Sequence, residues 1–208
     1  MTPSKIFCLG RNYADHRSEM GFQHDGSPSV FMKGPTTIVG PQDNIVLPPR
    51  SMSTHVEHEA ELAIVIAKSA RFVNAADASE YILGYTCAND VSARDLQRSD
   101  PQLTRGKGFD TFCPVGPWIE TDLNPSAGVR LRCSVNGALR QDGSTADMTY
   151  DIPFLIEYLT GFATLCPGDL ILTGSPGGTE PLNHGDQVDI EIDGIGTLTN
   201  SVVDSGHS

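Results

Sequence analysis

The stretch HVEHEAELAIVI, residues 55–66, sets three glutamates at alternate positions, Glu57, Glu59 and Glu61, directly before an apolar run. In an extended strand, residues i, i+2 and i+4 share a face. The three carboxylates therefore fall on one face, and His58, Ala60, Leu62, Ile64 and Ile66 on the other. Glutamate is disfavoured in strands, and like charges side by side repel. A solvated face would tolerate them. The strand continues as LAIVIA, apolar on both faces, so it enters the interior. A divalent cation would offset the repulsion, and Mg2+ and Mn2+ prefer hard oxygen ligands. A further ligand is expected from another strand end. Asp90, in YTCANDVSARD, stands where an apolar strand meets a polar turn. Its other possible role is the N-cap of a helix starting at Val91.

Outward from this stretch the chain reads as a β-rich α+β fold with few, short helices. Its 208 residues suffice for one good-sized core, and 21 Gly with 14 Pro favour strands and turns. KIFCLG, VFMK, residues 55–68 and ILGYTCAND read as strands. VRLRCSVNGALRQDG reads as a hairpin turning at Asn136-Gly137, and DQVDIEIDGIGTLTNSV as a closing hairpin. Helices are expected from about Asn12 to Gly21, over AADASEY, over VSARDLQR and over IPFLIEYLTGFATL. RSDPQLTRGKGFDTF is long and irregular, which in a compact domain points to function. The Pro-rich GPQDNIVLPPRSMS divides a small N-terminal cap or lid, residues 1–50, from a metal-binding catalytic β-roll core, residues 51–208, within one structural domain.

The formal net charge of −12, without a basic run, argues against nucleic acid and against an anionic membrane surface. The 5 cysteines are scattered, with no C-x-x-C pair, and read as reduced thiols. The opening MTPSKIFCLG has no long apolar h-region, and no run is long enough for a transmembrane helix. A cytoplasmic protein is expected.

The segments GRNYADHRSEMG, HEAELAIVI, GYTCANDVSARDLQ, RGKGFDTFCPVGPWI, VNGALRQDGSTADM and CPGDLILTGSP occur in this order. Together they resemble the fumarylacetoacetate hydrolase family, closest to its short, single-domain acylpyruvate hydrolase and oxaloacetate decarboxylase-like branch. The resemblance runs from about Lys5 to Val203 and implies the family's mixed β-sandwich roll. It also implies a metal site made by Glu59, Glu61 and Asp90 for Mg2+ or Mn2+, with Ca2+ able to substitute in crystals. Glu57 falls outside the motif and is expected as an outer or exposed neighbour.

His16 and Glu19 stand three apart on the first expected helix and share a face. The plain reading is an ordinary intrahelical contact. The resemblance implies instead a Glu-oriented His acting as general base, on a segment that orders over the substrate. Lys107, flanked by glycines in RGKGF, is implied as the group that stabilises an oxyanion or enolate. Arg11, Asn12, Gln97, Thr173 and Gly174 are expected to contact substrate, with Gln97 ahead of Arg94. The family pattern is modified at Ser175, where Thr is usual, at GGTEP after Pro176 and at Gly34. The implied activity is Mg2+- or Mn2+-dependent hydrolysis of a C–C bond in acylpyruvate-type 2-oxo acids by a homodimer, giving pyruvate and a carboxylic acid. The alternatives are oxaloacetate decarboxylation, isomerisation of 2-hydroxyhepta-2,4-diene-1,7-dioate in aromatic catabolism, and non-catalytic binding of metal and 2-oxo acids.

Overall fold

Every residue from Ala60 to Ile66 is buried, so the apolar run after the glutamates lies in the interior. The computed structural model describes residues 2–19 and 26–206, without the side chains of 17–19. Its strands are β1 (Ile6–Gly10), β2 (Ser29–Lys33), β3 (Ile38–Val39), β4 (Asn44–Leu47), β5 (Val56–Glu57), β6 (Ala60–Ile66), β7 (Ile82–Asn89), β8 (Ser92–Ala93), β9 (Cys113–Glu120), β10 (Arg130–Val135), β11 (Ala138–Ser144), β12 (Leu170–Leu172), β13 (Gln187–Ile192) and β14 (Gly196–Asp204). The α-helices are α1 (Ala14–Glu19), α2 (Arg94–Ser99), α3 (Thr104–Lys107) and α4 (Ile152–Phe162).

A seven-stranded mixed sheet runs β2-β1-β12-β6-β7-β9-β3, and a five-stranded sheet runs β11-β10-β13-β14-β4. Residues on both faces of the large sheet are buried, which is why β1, β12 and the part of β6 after Glu61 read as apolar runs. One face shares a core with the small sheet, joining Leu62 and Ile64 to Leu131, Cys133, Ile190 and Leu198. The other holds Ile6, Cys8, Ala63, Val65, Leu170 and Leu172. The first fifty residues supply strands to both sheets: β1 lies between β2 and β12, and β4 pairs in parallel with β14. On α4, Asp151 caps the helix by accepting the Phe154 N–H at 2.9 Å, and Leu155, Ile156 and Leu159 are buried.

The opening stretch is not one continuous strand. β5 ends at Glu57 and pairs with β8, and β6 begins at Ala60. Side chains take over the backbone at this break: Asn89 Oδ1 accepts the Glu59 N–H and Gln141 Oε1 accepts the Ala60 N–H, each at 2.9 Å. Strict alternation therefore does not govern Glu59. The helix read over VSARDLQR begins only at Arg94, because Ser92 and Ala93 pair with β5. Asp90 is thus not its N-cap. AADASEY forms 3-10 turns at Ala75–Tyr81. The hairpin turn has positive φ at both Asn136 (51°) and Gly137 (77°), as a tight two-residue connection needs. β4 and β9 were not anticipated. The end of the first expected helix, residues 20 and 21, lies outside the described residues. The cysteines are free, and no described helix is long and apolar enough to cross a membrane.

Candidate active site

Glu61 and Asp90 reach one place because β6 and β7 are antiparallel neighbours, with Glu61 opposite Ala88 and Asp90 just beyond the end of β7. Glu59 joins them from the break before β6, and the Asp90 N–H donates to its carbonyl at 2.9 Å. One carboxylate oxygen from each residue lies within 4.8 Å of the others, and all three residues are buried. The triad lines a cavity of about 440 Å3 together with His16, Gln97, Lys107 and Ser175.

Three buried cations surround the carboxylates unequally. Lys107 Nζ lies 2.7 Å from both Glu59 Oε2 and Asp90 Oδ2. Lys33 Nζ, 2.7 Å from Asp90 Oδ1, also donates to the carbonyls of Val91 (3.1 Å) and Lys107 (2.6 Å). Arg94 places NH1 2.5 Å from Glu59 Oε1 and Nε 2.7 Å from Glu57 Oε2. Burial opposes the charge of Glu59, but Lys107 and Arg94 outweigh it and hold its carboxyl well below the usual range. Glu61 is pushed well above that range, by burial first and then by the charges of Asp90 and Glu59. Its Oε2 accepts the Gly174 N–H at 2.5 Å. Three hard oxygen donors, one of them held against its own ionisation, fit a small divalent cation.

The organic half of the site is only partly as expected. His16, on α1 and buried, brings Nε2 to 3.6 Å from Glu59 Oε1. The Glu19 side chain lies outside the described residues. Arg11 and Gln97 line the cavity, and Gln97 Oε1 accepts from Arg94 NH1 at 2.8 Å. Asn12, Thr173 and Gly174 brace the frame. The Asn12 amide donates to Tyr150 O (3.0 Å) and Thr173 O (2.8 Å) and accepts from Tyr150 N (2.8 Å). The Thr173 hydroxyl donates to Leu62 O at 2.9 Å. Gly174 has φ +101°, and a Cβ there would stand 2.7 Å from the Asn12 Cβ.

Glu57 is a correction, because it is buried rather than outer or exposed. It accepts from Arg94 and from Thr179 Oγ1 (2.8 Å), with His55 Nε2 at 2.8 Å. Arg94, which the sequence places behind Gln97 for substrate contact, orients two glutamates, Glu57 and Glu59. Lys33 was missed. Its only signal in one dimension is a lysine closing the apolar strand VFMK.

The family model described as "Fumarylacetoacetate (FAA) hydrolase C-terminal" matches residues 5–203. The chain belongs to the fumarylacetoacetate hydrolase family. Among structures of similar proteins, 5-carboxymethyl-2-hydroxymuconate delta-isomerase from Mycobacterium smegmatis is 51% identical, with a TM-score of 0.91 over 99% of this chain and 81% of that one. Maleylpyruvate hydrolase from Sphingobium sp. SYK-6, solved in complex with manganese(II) and pyruvate, is 37% identical, with a TM-score of 0.84 over 98% and 72% of the two chains. Oxaloacetate tautomerase FAHD2B, mitochondrial, of Bos taurus is 43% identical over 212 residues, 97% of this chain and 67% of the relative. Members of the fumarylacetoacetate hydrolase family are thus enzymes, isomerases and hydrolases among them, and the acidic triad stands in a family that binds divalent metal.

Proposed function

We propose that this family member is a Mg2+- or Mn2+-dependent hydrolase that cleaves a C–C bond in acylpyruvate-type 2-oxo acids. The observation that carries the reading is His16 Nε2 at 3.6 Å from Glu59, which puts a base beside the acidic triad inside the cavity. Glu59, Glu61 and Asp90 would hold the cation. When bound, it supplies Lewis-acid polarisation of the 2-oxo acid.

The remaining work falls to the chain. Arg94 and Lys33 fix the directions of Glu59 and Asp90. Lys107 is kept protonated: burial alone would lower its affinity for a proton, but Asp90 and Glu59 raise it. Its Nζ is a donor for negative charge developing on a substrate oxygen. His16 removes a proton from water as the oxygen adds to the distal carbonyl, and Glu19 is the orienting partner in this reading. Breaking the C–C bond releases a carboxylic acid and the enolate of pyruvate, which takes up the proton. Arg11, Gln97 and Ser175 on the wall are donors for the substrate's carboxylate. A cytoplasmic homodimer is part of the same proposal, and light scattering tests the assembly.

A second reading is oxaloacetate chemistry, tautomerisation or decarboxylation. The similarity to oxaloacetate tautomerase FAHD2B favours it, as do His16 and the protonated Lys107 at the two oxygens of Glu59, a base and an acid suited to proton transfer at C3. The test is a panel of acetylpyruvate, fumarylpyruvate and oxaloacetate with Mg2+, Mn2+ or EDTA. Pyruvate is followed through lactate dehydrogenase and the enol by ultraviolet absorbance. Metal-dependent pyruvate release from an acylpyruvate is expected. Turnover of oxaloacetate alone selects the second reading, and inertness toward the whole panel sinks both.

A further inference from the structure

A β-bulge aims one polar side chain at the back of the cavity. Along the β10–β11 pair, Cys133 faces Gln141 but Ser134 faces Leu139, so Arg140 is an extra residue. Bulges re-aim side chains. Gln141 is fully buried, and its neighbours Arg140 and Asp142 are exposed. The loop after Ser175 is laid against this strand without room for side chains. A Cβ on Gly143 would come within 2.6 Å of Pro176, and one on Gly178 (φ +95°) within 2.3 Å of the Arg140 carbonyl oxygen.

The polarity of the Gln141 amide is fixed at both ends. Oε1 meets the Ala60 N–H at 2.9 Å, which can only donate, and Nε2 meets the Pro176 carbonyl at 2.7 Å, which can only accept. Two consequences follow from hydrogen-bond inventory alone. His58 Nδ1, 2.9 Å from Oε1, must carry a proton. Ser175 Oγ, 2.8 Å from Nε2, must accept, so the hydroxyl proton points elsewhere. The Pro176 carbonyl accepts the Ser175 hydroxyl only at 3.4 Å, a long contact that an anionic oxygen at ordinary hydrogen-bond distance in the cavity outcompetes. Ser175 lines the cavity that holds Glu59, Glu61 and Asp90.

We infer that Gln141 is a positioning residue: anchored on Ala60 and His58, it turns Ser175 into a fixed O–H donor for an anionic oxygen entering the cavity, the carboxylate of a 2-oxo acid. The identity of that ligand rests on the function proposed above. Oxalate is the probe, titrated calorimetrically into the Mg2+-loaded protein as wild type, Gln141→Met, Ser175→Ala and the double variant. Each single substitution should weaken oxalate about tenfold, the worth of a hydrogen bond to a charged group. The double variant should bind within about twofold of Ser175→Ala, because one residue acts through the other. In steady state, Gln141→Met should raise KM and leave kcat nearly unchanged. Additive losses would overturn the inference, since Gln141 would then act on the fold at large. Oxalate binding indifferent to Ser175→Ala would overturn it too and leave the 2-oxo acid reading standing. A wild type that takes up Mg2+ but no oxalate would overturn both. Should Gln141→Met not fold, 15N spectra of the wild-type His58 ring decide: a proton on Nδ1 is required, and a bare Nδ1 overturns the assignment.

Discussion

Glu61 is buried beside Asp90 and Glu59, and its carboxyl is held above its ordinary value of 4.5. A raised value means that the neutral form favours folding: this contribution is complete below the unfolded value and is lost as pH rises through the folded one. Glu61→Gln keeps an acceptor for the Gly174 N–H and removes the charge. In EDTA at pH 7.5 it should stabilise the chain by on the order of 1–3 kcal/mol, read as a higher melting temperature, and abolish Mg2+ uptake. An unchanged or lower melting temperature would show that the charge is already compensated without metal. At His16 the expectation concerns a ratio of activities. His16→Ala should cut acylpyruvate hydrolysis by on the order of 10²–10⁴-fold and oxaloacetate turnover less, because only the first needs an activated water. Equal losses would assign His16 to closing the cavity instead. The glutamate row was legible in the sequence because carboxylates abutting an apolar run are a conflict visible in one dimension, whereas choosing Glu59 and Glu61 with Asp90 as the triad rested on the family motifs. Lys33 and Arg94 were not, since each resolves that conflict from a distant stretch and looks ordinary where it stands. Glu57 read as outer or exposed because it falls outside the family's metal motif, and its partner Arg94 stands 37 residues further along the chain.

The turn before β12 binds the chain's first residues to the large sheet. Asp169 accepts from Ser4 N (2.9 Å), Ser4 Oγ (2.7 Å) and Cys166 N (2.7 Å), and pairs with Lys5 Nζ at 2.6 Å. Burial opposes its charge, but Lys5, the Cys166 N–H and Ser4 hold the carboxyl below its ordinary 3.8. A lowered value contributes stability above the unfolded value, and that stability is lost as pH falls through the folded one. Asp169→Asn should therefore cost about 2–4 kcal/mol at neutral pH, and the variant's stability should fall less steeply below about pH 4. Parallel acid melting curves for variant and wild type would count against this. Strands with a full apolar run or a marked turn, such as β1, β7 and the β10–β11 hairpin, could be read directly from the residues. β3 spans only Ile38–Val39, too short for a period to show, and β4 hides among prolines. The start of α2 was misread because Ser92 and Ala93 are spent on β5, a pairing that local propensity cannot reveal.

A cation held by Glu59, Glu61 and Asp90 would clasp β6 to the end of β7, at the middle of the large sheet. Mg2+ at about a hundred times its dissociation constant should stabilise the folded chain by about 2.7 kcal/mol. The melting temperature should rise by roughly 5–10 °C, and Asp90→Ala should remove the rise. No shift in the wild type would mean that Lys107 already satisfies the carboxylates. The α+β class was legible at this scale from the succession of short strands, turns and few helices, and the roll through the ordered family motifs. The composition of each sheet was not, because it depends on pairings between the two ends of the chain. Ile6 pairs with Leu170, and Asn44 with Ser201. A nascent chain leaving the ribosome at roughly 5–20 residues per second has made β1 and β4 many seconds before their partners exist. During that interval β1 and β6 present apolar faces and open edges to everything nearby. Translation arrested before β12 emerges should leave a protease-sensitive chain held by chaperones, and release of the last strand should bring resistance in a single step.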